Sequence, residues 1–442
     1  MRTIFFLLVL FCAAAVFIAS CAVGDSSDGS DESDQSDNDS PEPDDDSTPD
    51  DDDVTPRSFA LAAAPMQYVV TDTTIETVFD TNGLAGLLDV LALHMDDFFG
   101  IPWNEFAAGE DPPPLWIALM EDIRGQAQEM GVDVYLAISP LGGLRDRLAQ
   151  LVEQQDGQLV FDTEWASTCF NFDTSPDAAD VRAAYLAYVR WMVEFFQPDY
   201  LALAIEMNLF DEFCPDSYDS LIGIYNEAYQ QEKTLNPDLP IYPTFQIDFM
   251  WNLKPDGDCD IGDRSCLEQA LARQADVQRD RFAVSSYPMM FLANQIPVPD
   301  DFFTAPAEIT GETLVIGETG FTSESVTVPY PTLDDPCLFI FSSSDQKQMD
   351  FMQLLFEQVN QVGGDLITWW SARDFLPASV LGSCPCDAPD LWCLLYEVMG
   401  EEGLLAAWMF WGAMGVIDYD LDPKPSLELW NEWRNRTISS EK

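Results

Sequence analysis

Two glutamates, Glu206 and Glu318, each end a short apolar run that is typical of a β-strand. A carboxylate at the end of a buried strand is costly unless it is paired or used. The chain has a single histidine, His94, so multi-histidine zinc or iron centres are excluded and at most one Ser/His or Cys/His system is possible. If this chain performs chemistry, we expect carboxylates to perform it.

Eight short apolar runs are available to position these groups. They cover residues 67–70, 88–93, 132–138, 200–206, 241–246, 282–287, 314–318 and 366–370. Helical patterns with apolar residues three and four apart lie between most of them, at 116–129, 180–196, 218–234, 266–276 and 345–361. A strand followed by a helix, eight times over, predicts an α/β fold of the (β/α)8 or TIM-barrel type.

The run 200–206 predicts where its glutamate points. Alternation would turn bulky Leu201, Leu203 and Ile205 toward the helices and the small residues between them toward the crowded barrel axis. Glu206 would then lie on the inner side, at the carboxyl end of its strand. We expect the same of Glu318, and this end of a barrel is where active sites are built. The alternative for each glutamate is a structural ion pair at the barrel mouth.

Four motifs in this order resemble the clan A glycoside hydrolases, retaining enzymes on a (β/α)8 barrel, and among them the family 53 endo-β-1,4-galactanase group. They are Tyr200-Leu-Ala-Leu-Ala-Ile-Glu206-Met-Asn208, Ser285-Ser-Tyr287-Pro288, Ile316-Gly-Glu318-Thr-Gly320-Phe321 and Ile367-Thr-Trp369-Trp370. The segment 415–425 resembles one that often closes such domains. The ordered set is more specific for the clan than for any one family.

The resemblance implies a carbohydrate substrate and assigns roles to these residues. Glu206 would be the acid/base on the fourth strand and Glu318 the nucleophile on the seventh, with their carboxyl groups about 5 Å apart. Tyr287 would hydrogen-bond the nucleophile. One of Trp369 and Trp370 would form the floor for a sugar ring, since successive strand residues face opposite ways. No organic cofactor and no metal is implied.

One position departs from the clan pattern. Members usually carry an asparagine directly before the acid/base glutamate, where it holds the sugar 2-hydroxyl, and here that residue is Ile205. Asn208 would replace the lost hydrogen bond from the adjoining loop, or the substrate has changed, or the protein binds sugar without cutting it. A structural protein of the cell envelope that uses the barrel as a scaffold is a further alternative.

Four more residues are candidate substrate contacts. His94 directly follows the second run and Gln246 ends the fifth, whereas Asp96 and Trp103 fall in the loops that follow the second run. Each has an ordinary structural alternative: a satisfied histidine, a turn cap or a core aromatic.

The first residues predict export and anchoring. Arg2 precedes an apolar run at 4–19 that is too short to span a membrane and is typical of a signal peptide. Cys21 follows Ile18-Ala-Ser20 as in the lipobox of bacterial lipoproteins, so we expect cleavage after residue 20 and a lipid on Cys21. Residues 21–57 would be a disordered tether, with 15 acidic and no basic residues between Ala22 and Asp53. The folded domain would span 58–442, as a monomer on the outer membrane or cell surface.

The net charge and the cysteine content limit the possible partners and cross-links. A net charge of −59 repels a phosphate backbone, so nucleic acid is an unsuitable partner. Eight cysteines remain after Cys12 and Cys21 are set aside, an even number that predicts disulfides in an exported chain, and Cys259 with Cys266 could close one short loop. Zinc on the cysteines at 384, 386 and 393 and calcium in the acidic loop 256–263 are the alternatives.

Overall fold

The computed structural model describes residues 55–70, 75–79, 86–95, 99–252, 259–260, 262–289, 298–328, 339–374 and 410–439. The predicted signal segment, most of the predicted tether with Cys21, Asp96, the cysteines at 337, 384, 386 and 393, and half of the acidic loop 256–263 lie outside these ranges. Within them, no helix is both long enough and apolar enough to cross a membrane.

Fifteen strands occur in the described part of the chain. They are β1 (Ala60–Ala63), β2 (Met66–Val70), β3 (Ile75–Phe79), β4 (Val90–Met95), β5 (Asp133–Ile138), β6 (Leu151–Gln155), β7 (Gln158–Asp162), β8 (Tyr200–Ala202), β9 (Ile241–Tyr242), β10 (Thr244–Gln246), β11 (Phe282–Ser286), β12 (Leu314–Thr319), β13 (Val326–Val328), β14 (Phe339–Phe341) and β15 (Leu366–Trp369).

Ten helices, counted in the same described residues, lie between and after them. They are α1 (Trp103–Ala108), α2 (Pro114–Met130), α3 (Ala178–Phe196), α4 (Met207–Phe213), α5 (Pro215–Leu235), α6 (Ile247–Met250), α7 (Arg264–Arg273), α8 (Thr304–Thr310), α9 (Asp345–Gln361) and α10 (Pro425–Arg434). The five helices predicted from periodicity correspond to α2, α3, α5, α7 and α9, with ends that differ by at most three residues.

The main sheet is a parallel barrel. Its strand order is β10-β11-β12-β15-β1-β4-β5-β8-β9, and all of these pairs are parallel. β9 and β10 are two parts of one strand interrupted at Pro243, which has no N–H to offer a ladder. The order therefore closes on itself as eight barrel strands, which confirms the predicted TIM-barrel class.

Two of the predicted strands differ from the observed ones. The first barrel strand is β1 rather than 67–70, because β2 pairs antiparallel with β3 in a separate hairpin. Alanine-rich Ala60–Ala63 has little intrinsic strand preference, yet small side chains suit the crowded barrel interior. The fourth strand ends at Ala202 instead of continuing in phase to Glu206.

A separate apolar cluster fills the barrel axis. It contains Ala62, Val90, Ala92, Tyr135, Ala137, Ala202, Ile205, Tyr242, Ala283, Val315 and Leu366, all at most 1% exposed. The larger cluster lies between the barrel and its helices. Ile205 belongs to the inner cluster and Ala204 to the outer one, so the alternation predicted for this segment breaks after Leu203.

Cross-links brace the loops and the ends of the domain. Cys259 and Cys266 form the expected short-range disulfide, and Cys169 pairs with Cys214. Arg57, the last residue of the predicted tether, is 3% exposed and its Nη1 lies 2.6 Å from Asp89 Oδ2. Its backbone N–H donates to the Thr437 carbonyl at 3.0 Å, so the two ends of the domain are held together.

Candidate active site

Glu318 is turned toward the barrel mouth by an irregularity in β12. Val315 faces the barrel axis and Ile316 the helix layer, so strict alternation would turn residue 318 away from the axis. The pairing with β11 shifts between Val284 and Ser285, which brings Glu318 opposite Ser285. Irregularities of this kind re-aim side chains at active sites.

Gly317 is required by the close packing beneath the glutamate. A Cβ at this position would lie 2.6 Å from Thr244 Cγ2 and 3.0 Å from the Tyr135 hydroxyl oxygen. Thr244 also accepts a hydrogen bond at 2.8 Å from the backbone N–H of Glu206. The residue before Glu318 and the backbone of Glu206 therefore pack on the same threonine, which places both glutamates at one end of the barrel.

Two side chains from other strands hold the Glu318 carboxylate. The Tyr287 hydroxyl donates a hydrogen bond to Oε1. His94 Nε2 lies 3.5 Å from Oε2. Glu318 is 8% exposed, so these contacts form in a mostly desolvated environment where hydrogen bonds to an anion are strong.

Glu206 lies in a different kind of place. It caps the amino end of α4 with φ 50° and ψ 44°, a left-handed conformation that is uncommon outside glycine. Such conformations cluster at functional sites. Its carboxylate Oε2 lies 3.3 Å from Arg145 Nε, in an ion pair whose side chains are 14% and 5% exposed.

The loop that carries Arg145 is tightly built. Arg145 itself has φ 56°, and its Nη1 donates to the Gly142 carbonyl at 3.2 Å. The next carbonyl, that of Asp146, accepts from the Cys169 N–H at 2.7 Å and lies 3.6 Å from Cys214 Sγ. Because Cys214 ends α4, the disulfide ties the Arg145 loop to the helix that begins after Glu206.

The two tryptophans at the end of β15 are separated as alternation requires. Trp370 packs edge-on against His94, with ring centroids 5.1 Å apart, and forms a second edge contact with Trp411 at 6.1 Å. Trp411 in turn lies 5.7 Å from the Tyr287 ring. Trp369 is fully buried in the layer under the helices, where its indole N–H donates to the Met414 carbonyl at 2.6 Å. Trp370 is therefore the one that packs against His94, a partner of Glu318.

Asn208 and Gln246 connect the ends of the fourth and fifth barrel strands. Asn208 Nδ2 donates to the Gln246 carbonyl at 3.0 Å, and Asn208 Oδ1 accepts from the Gln246 N–H at 2.7 Å. Gln246 Oε1 accepts from the N–H groups of Asp248 and Phe249, which caps α6. Both amide side chains, predicted as substrate contacts, are thus engaged with backbone at the strand ends.

The prediction of a loop around Trp103 is wrong. Trp103 begins α1, is 2% exposed, and donates its indole N–H to the Ala149 carbonyl at 2.9 Å. An apolar ring of this size packs into the nearest core when a helix can present it there. The remaining candidate, Asp96, lies outside the described residues.

Three residues around the glutamates have no local sequence signal of their role. Arg145 lies in an ordinary-looking polar loop, Trp411 follows a long apolar stretch, and Asp248 resembles any acid at the start of a helix. Composition does give one signal. The chain has only 19 basic residues against 78 acidic ones, so an arginine in a loop after a barrel strand is unusual in this chain.

The fold and site together define a closed (β/α)8 barrel with two glutamates at its carboxyl end. No family model and no curated protein sequence matches the chain. Among solved structures it is similar to a glutamate-to-alanine variant of GH5_18 from Bifidobacterium longum subsp. longum in complex with Manβ1-4GlcNAc. That similarity has 15% identity and a TM-score of 0.47 and covers 82% of this chain and 74% of the other.

Two further solved structures have the same degree of similarity. The exo-β-1,4-mannosidase Op5Man5 from Opitutaceae bacterium strain TAV5 is 13% identical, with a TM-score of 0.46 over 86% of this chain and 60% of that one. Xylanase10C from Cellvibrio japonicus, a variant in complex with xylopentaose, is 12% identical, with a TM-score of 0.47 over 87% and 69%. The chain spans less than two thirds of the mannosidase.

Proposed function

We propose that this protein is a retaining glycoside hydrolase, with Glu318 as the nucleophile and Glu206 as the acid/base. The observation that carries the proposal is the environment of Glu318. A carboxylate at the carboxyl end of a barrel strand is held on one oxygen by a tyrosine and approached on the other by a histidine. The rings of Trp370 and Trp411 pack against that histidine and that tyrosine. A nucleophile for a sugar needs this combination of fixed orientation and apolar platform.

The reaction has two displacements. In the first, Glu318 forms a bond to the anomeric carbon while the glycosidic C–O bond breaks, and Glu206 gives its proton to the departing oxygen. In the second, Glu206 takes a proton from water, whose oxygen attacks the anomeric carbon and releases Glu318. The sugar hydroxyl product keeps the original anomeric configuration.

Arg145 constrains when Glu206 can act. A guanidinium 3.3 Å from the carboxylate stabilises its ionised form, which suits the base of the second displacement. The first displacement needs the protonated form. We therefore propose that sugar binding weakens the contact with Arg145 and so allows Glu206 to carry a proton.

A second candidate function is glycan binding without cleavage. Two observations favour it: Ile205 occupies the place of the usual asparagine and is 1% exposed within the barrel core, and Glu206 is already in an ion pair. A barrel in which the acid/base is only structural would still offer the aromatic platform to a sugar.

Covalent labelling separates the two functions. The protein is incubated with a panel of 2-deoxy-2-fluoro glycosides with dinitrophenyl leaving groups, and peptides are examined by mass spectrometry. The hydrolase predicts a glycosyl adduct on Glu318, which is absent in Glu318→Gln. Binding of oligosaccharides by calorimetry without an adduct from any sugar of the panel supports the binding protein and contradicts the hydrolase.

We further propose that the protein is lipid-anchored through Cys21 outside the cytoplasm. The support is the sequence alone: an apolar export segment, a lipobox-like motif and an acidic spacer. Cys21→Ser should move the protein from the membrane fraction to the soluble fraction of cells that express it. Equal membrane association of both forms would contradict the anchor.

A further inference from the structure

Asp248 is a buried carboxylate at the start of α6, next to the proposed nucleophile site. It is 0% exposed. Its Oδ2 accepts a hydrogen bond from the Tyr287 N–H at 3.0 Å, and its Oδ1 accepts from the Ser286 hydroxyl at 3.3 Å. An acid this deeply buried is costly unless its hydrogen bonds are used.

These contacts belong to a continuous chain across four barrel strands. Asn208, two residues after Glu206, bonds both backbone groups of Gln246. The Gln246 side chain accepts from the Asp248 N–H at 2.8 Å. Asp248 holds the backbone at Tyr287, whose hydroxyl reaches Glu318. The ends of the fourth, fifth, sixth and seventh barrel strands are therefore linked one after another.

Asp248 accepts a hydrogen bond from the Tyr287 backbone just past the end of a strand. β11 ends at Ser286, so the backbone N–H of Tyr287 lies beyond the last strand residue. Its hydrogen bond to Asp248 fixes the peptide group from which the tyrosine side chain departs. A small rotation there would move the hydroxyl away from Glu318, because the hydroxyl lies at the far end of the side chain and a misplaced catalytic contact is costly.

We propose that Asp248 is a positioning residue that fixes Tyr287 and, through it, the orientation of the Glu318 carboxylate. The inference rests on the proposed hydrolase function. It assigns to Asp248 an effect on the rate of glycosyl transfer to Glu318, and no contact with the sugar itself.

The charge of Asp248 fits this role. Burial raises the pKa of the carboxyl to about 7, and the hydrogen bonds from Tyr287, Gln246 and Ser286 oppose that rise. The groups that face it are the amide of Gln246 from β10, the hydroxyl of Ser286 from β11, and the backbone N–H of Tyr287, the one titratable residue of the three. Hydrogen bonds to the ionised form are the stronger ones, so positioning should weaken as pH falls through about 7.

The test is a double-mutant cycle on the rate of adduct formation with the fluoroglycoside. Asp248→Ala should slow labelling of Glu318 about 10- to 100-fold. In a Tyr287→Phe background, the same change should cost less than about threefold, because the contact that it positions is already gone. A structural defect without this link would give the same loss in both backgrounds and would overturn the inference.

Asp248→Asn covers the case in which the alanine variant does not fold. An asparagine can accept from the Tyr287 N–H and donate to the Ser286 hydroxyl, so folding should be retained. The wild type should lose labelling rate as pH falls through about 7, and this limb should be missing in the asparagine variant. Identical pH profiles would contradict the inference.

Asp365→Asn is the matched control. Asp365 is also a buried acid, 3% exposed, but it pairs with Arg281 at 2.9 Å before the amino end of β15, at the opposite end of the barrel. Its variant should keep the wild-type labelling rate and pH profile in the folded protein. If the wild type itself forms no adduct, the proposed function fails first; if it does and the cycle is additive, only the role of Asp248 fails.

Discussion

The surroundings of Glu318 and Glu206 differ in how each carboxylate is held. Glu318 lies within a strand and is contacted by Tyr287 and His94, which come from two other barrel strands. Glu206 lies between a strand and a helix in a left-handed conformation, and its partner Arg145 comes from a loop. Glu318 is therefore held by side chains from barrel strands, whereas Glu206 is held by a charged side chain from a loop.

This difference matches the work that each group would do. A nucleophile must be ionised and correctly oriented when it attacks, and hydrogen-bond donors on rigid strands can hold it in this way. An acid/base must change its protonation state twice, and a partner on a loop can move more easily than one on a strand. Changes to the surroundings of Glu318 and changes to those of Glu206 should therefore have distinct effects.

Removing the carboxylate of Glu318 should have the largest effect. Glu318→Gln should lower kcat by about 10⁴-fold or more for every substrate, because no covalent intermediate can form. Steady-state hydrolysis of an aryl glycoside measures this. Glu227→Gln, which alters an acid paired with Arg182 on the outer helices, is the control and should be near wild type. A residual rate within tenfold of wild type would exclude Glu318 as the nucleophile.

Changing Glu206 should have an effect that depends on the leaving group. Glu206→Gln should lower kcat about 10²- to 10⁴-fold for an alkyl or sugar leaving group, because the departing oxygen needs a proton. For dinitrophenolate, which leaves without one, the first displacement should be nearly unaffected. Burst kinetics separates the two displacements. An equal loss for both leaving groups would contradict the acid/base assignment.

Removing the Tyr287 hydroxyl tests how the barrel strands hold Glu318. Tyr287→Phe should lower kcat roughly 10- to 100-fold with a smaller change in KM, because a hydrogen bond that orients the nucleophile is lost while the sugar platform remains. The measurement is kcat and KM on one aryl glycoside. A change confined to KM would mean that Tyr287 contacts the substrate rather than Glu318 in the reaction.

Removing the Arg145 guanidinium tests how the loop charge controls Glu206. Arg145→Gln should move the alkaline limb of the pH–rate profile to higher pH, because the proton on Glu206 is no longer opposed by a nearby positive charge. Arg145→Lys keeps the charge and should leave the limb closer to its wild-type position. Profiles of kcat/KM for the three proteins decide this. A limb that stays in place in both variants would make Arg145 a structural residue only.

The last expected effect is on stability rather than on rate, and it concerns Asp248. The pKa of this carboxyl rises from 3.8 to about 7 because it is buried, so the folded protein holds the proton more tightly than the unfolded chain does. Raising pH from about 4 to about 7 should therefore lower the free energy of unfolding, by on the order of 2 to 4 kcal/mol from this group. Asp248→Asn should lack that part of the pH dependence in denaturant titrations. Parallel curves for both proteins would contradict it.

Much of the barrel was predictable because its signals are local. Apolar runs and three- and four-residue periodicity located seven of the eight barrel strands and five helices. The first strand was missed because Ala60–Ala63 carries weak strand preference, and only the crowding at the barrel axis selects it. The prediction of a loop at Trp103 was wrong because its neighbours in the sequence do not show that a helix begins there and turns the ring toward the core.

The types of residue at the candidate site were predictable from the sequence, but the directions of their side chains were less so. Alternation along β15, with Leu366 on the barrel axis, could have separated Trp370 from Trp369. The same rule fails at Glu318 and Glu206, where an irregular pairing and a left-handed residue change the direction of the side chain. Such departures depend on neighbours that are distant in the chain, so a local pattern cannot contain them.

The amino-acid sequence by itself determined the repeat of strand and helix, the export segment and tether as predictions, and the choice of carboxylates for any chemistry. These follow from residue type and short spacing, which act before the chain folds. The motif resemblance already implied the contact of Tyr287 with Glu318, whereas only the tertiary structure decided that His94 meets Glu318, that Arg145 meets Glu206, and that Asp248 accepts a hydrogen bond from the Tyr287 backbone. Those contacts join residues dozens of positions apart, and closure of the barrel is what brings them within hydrogen-bond distance.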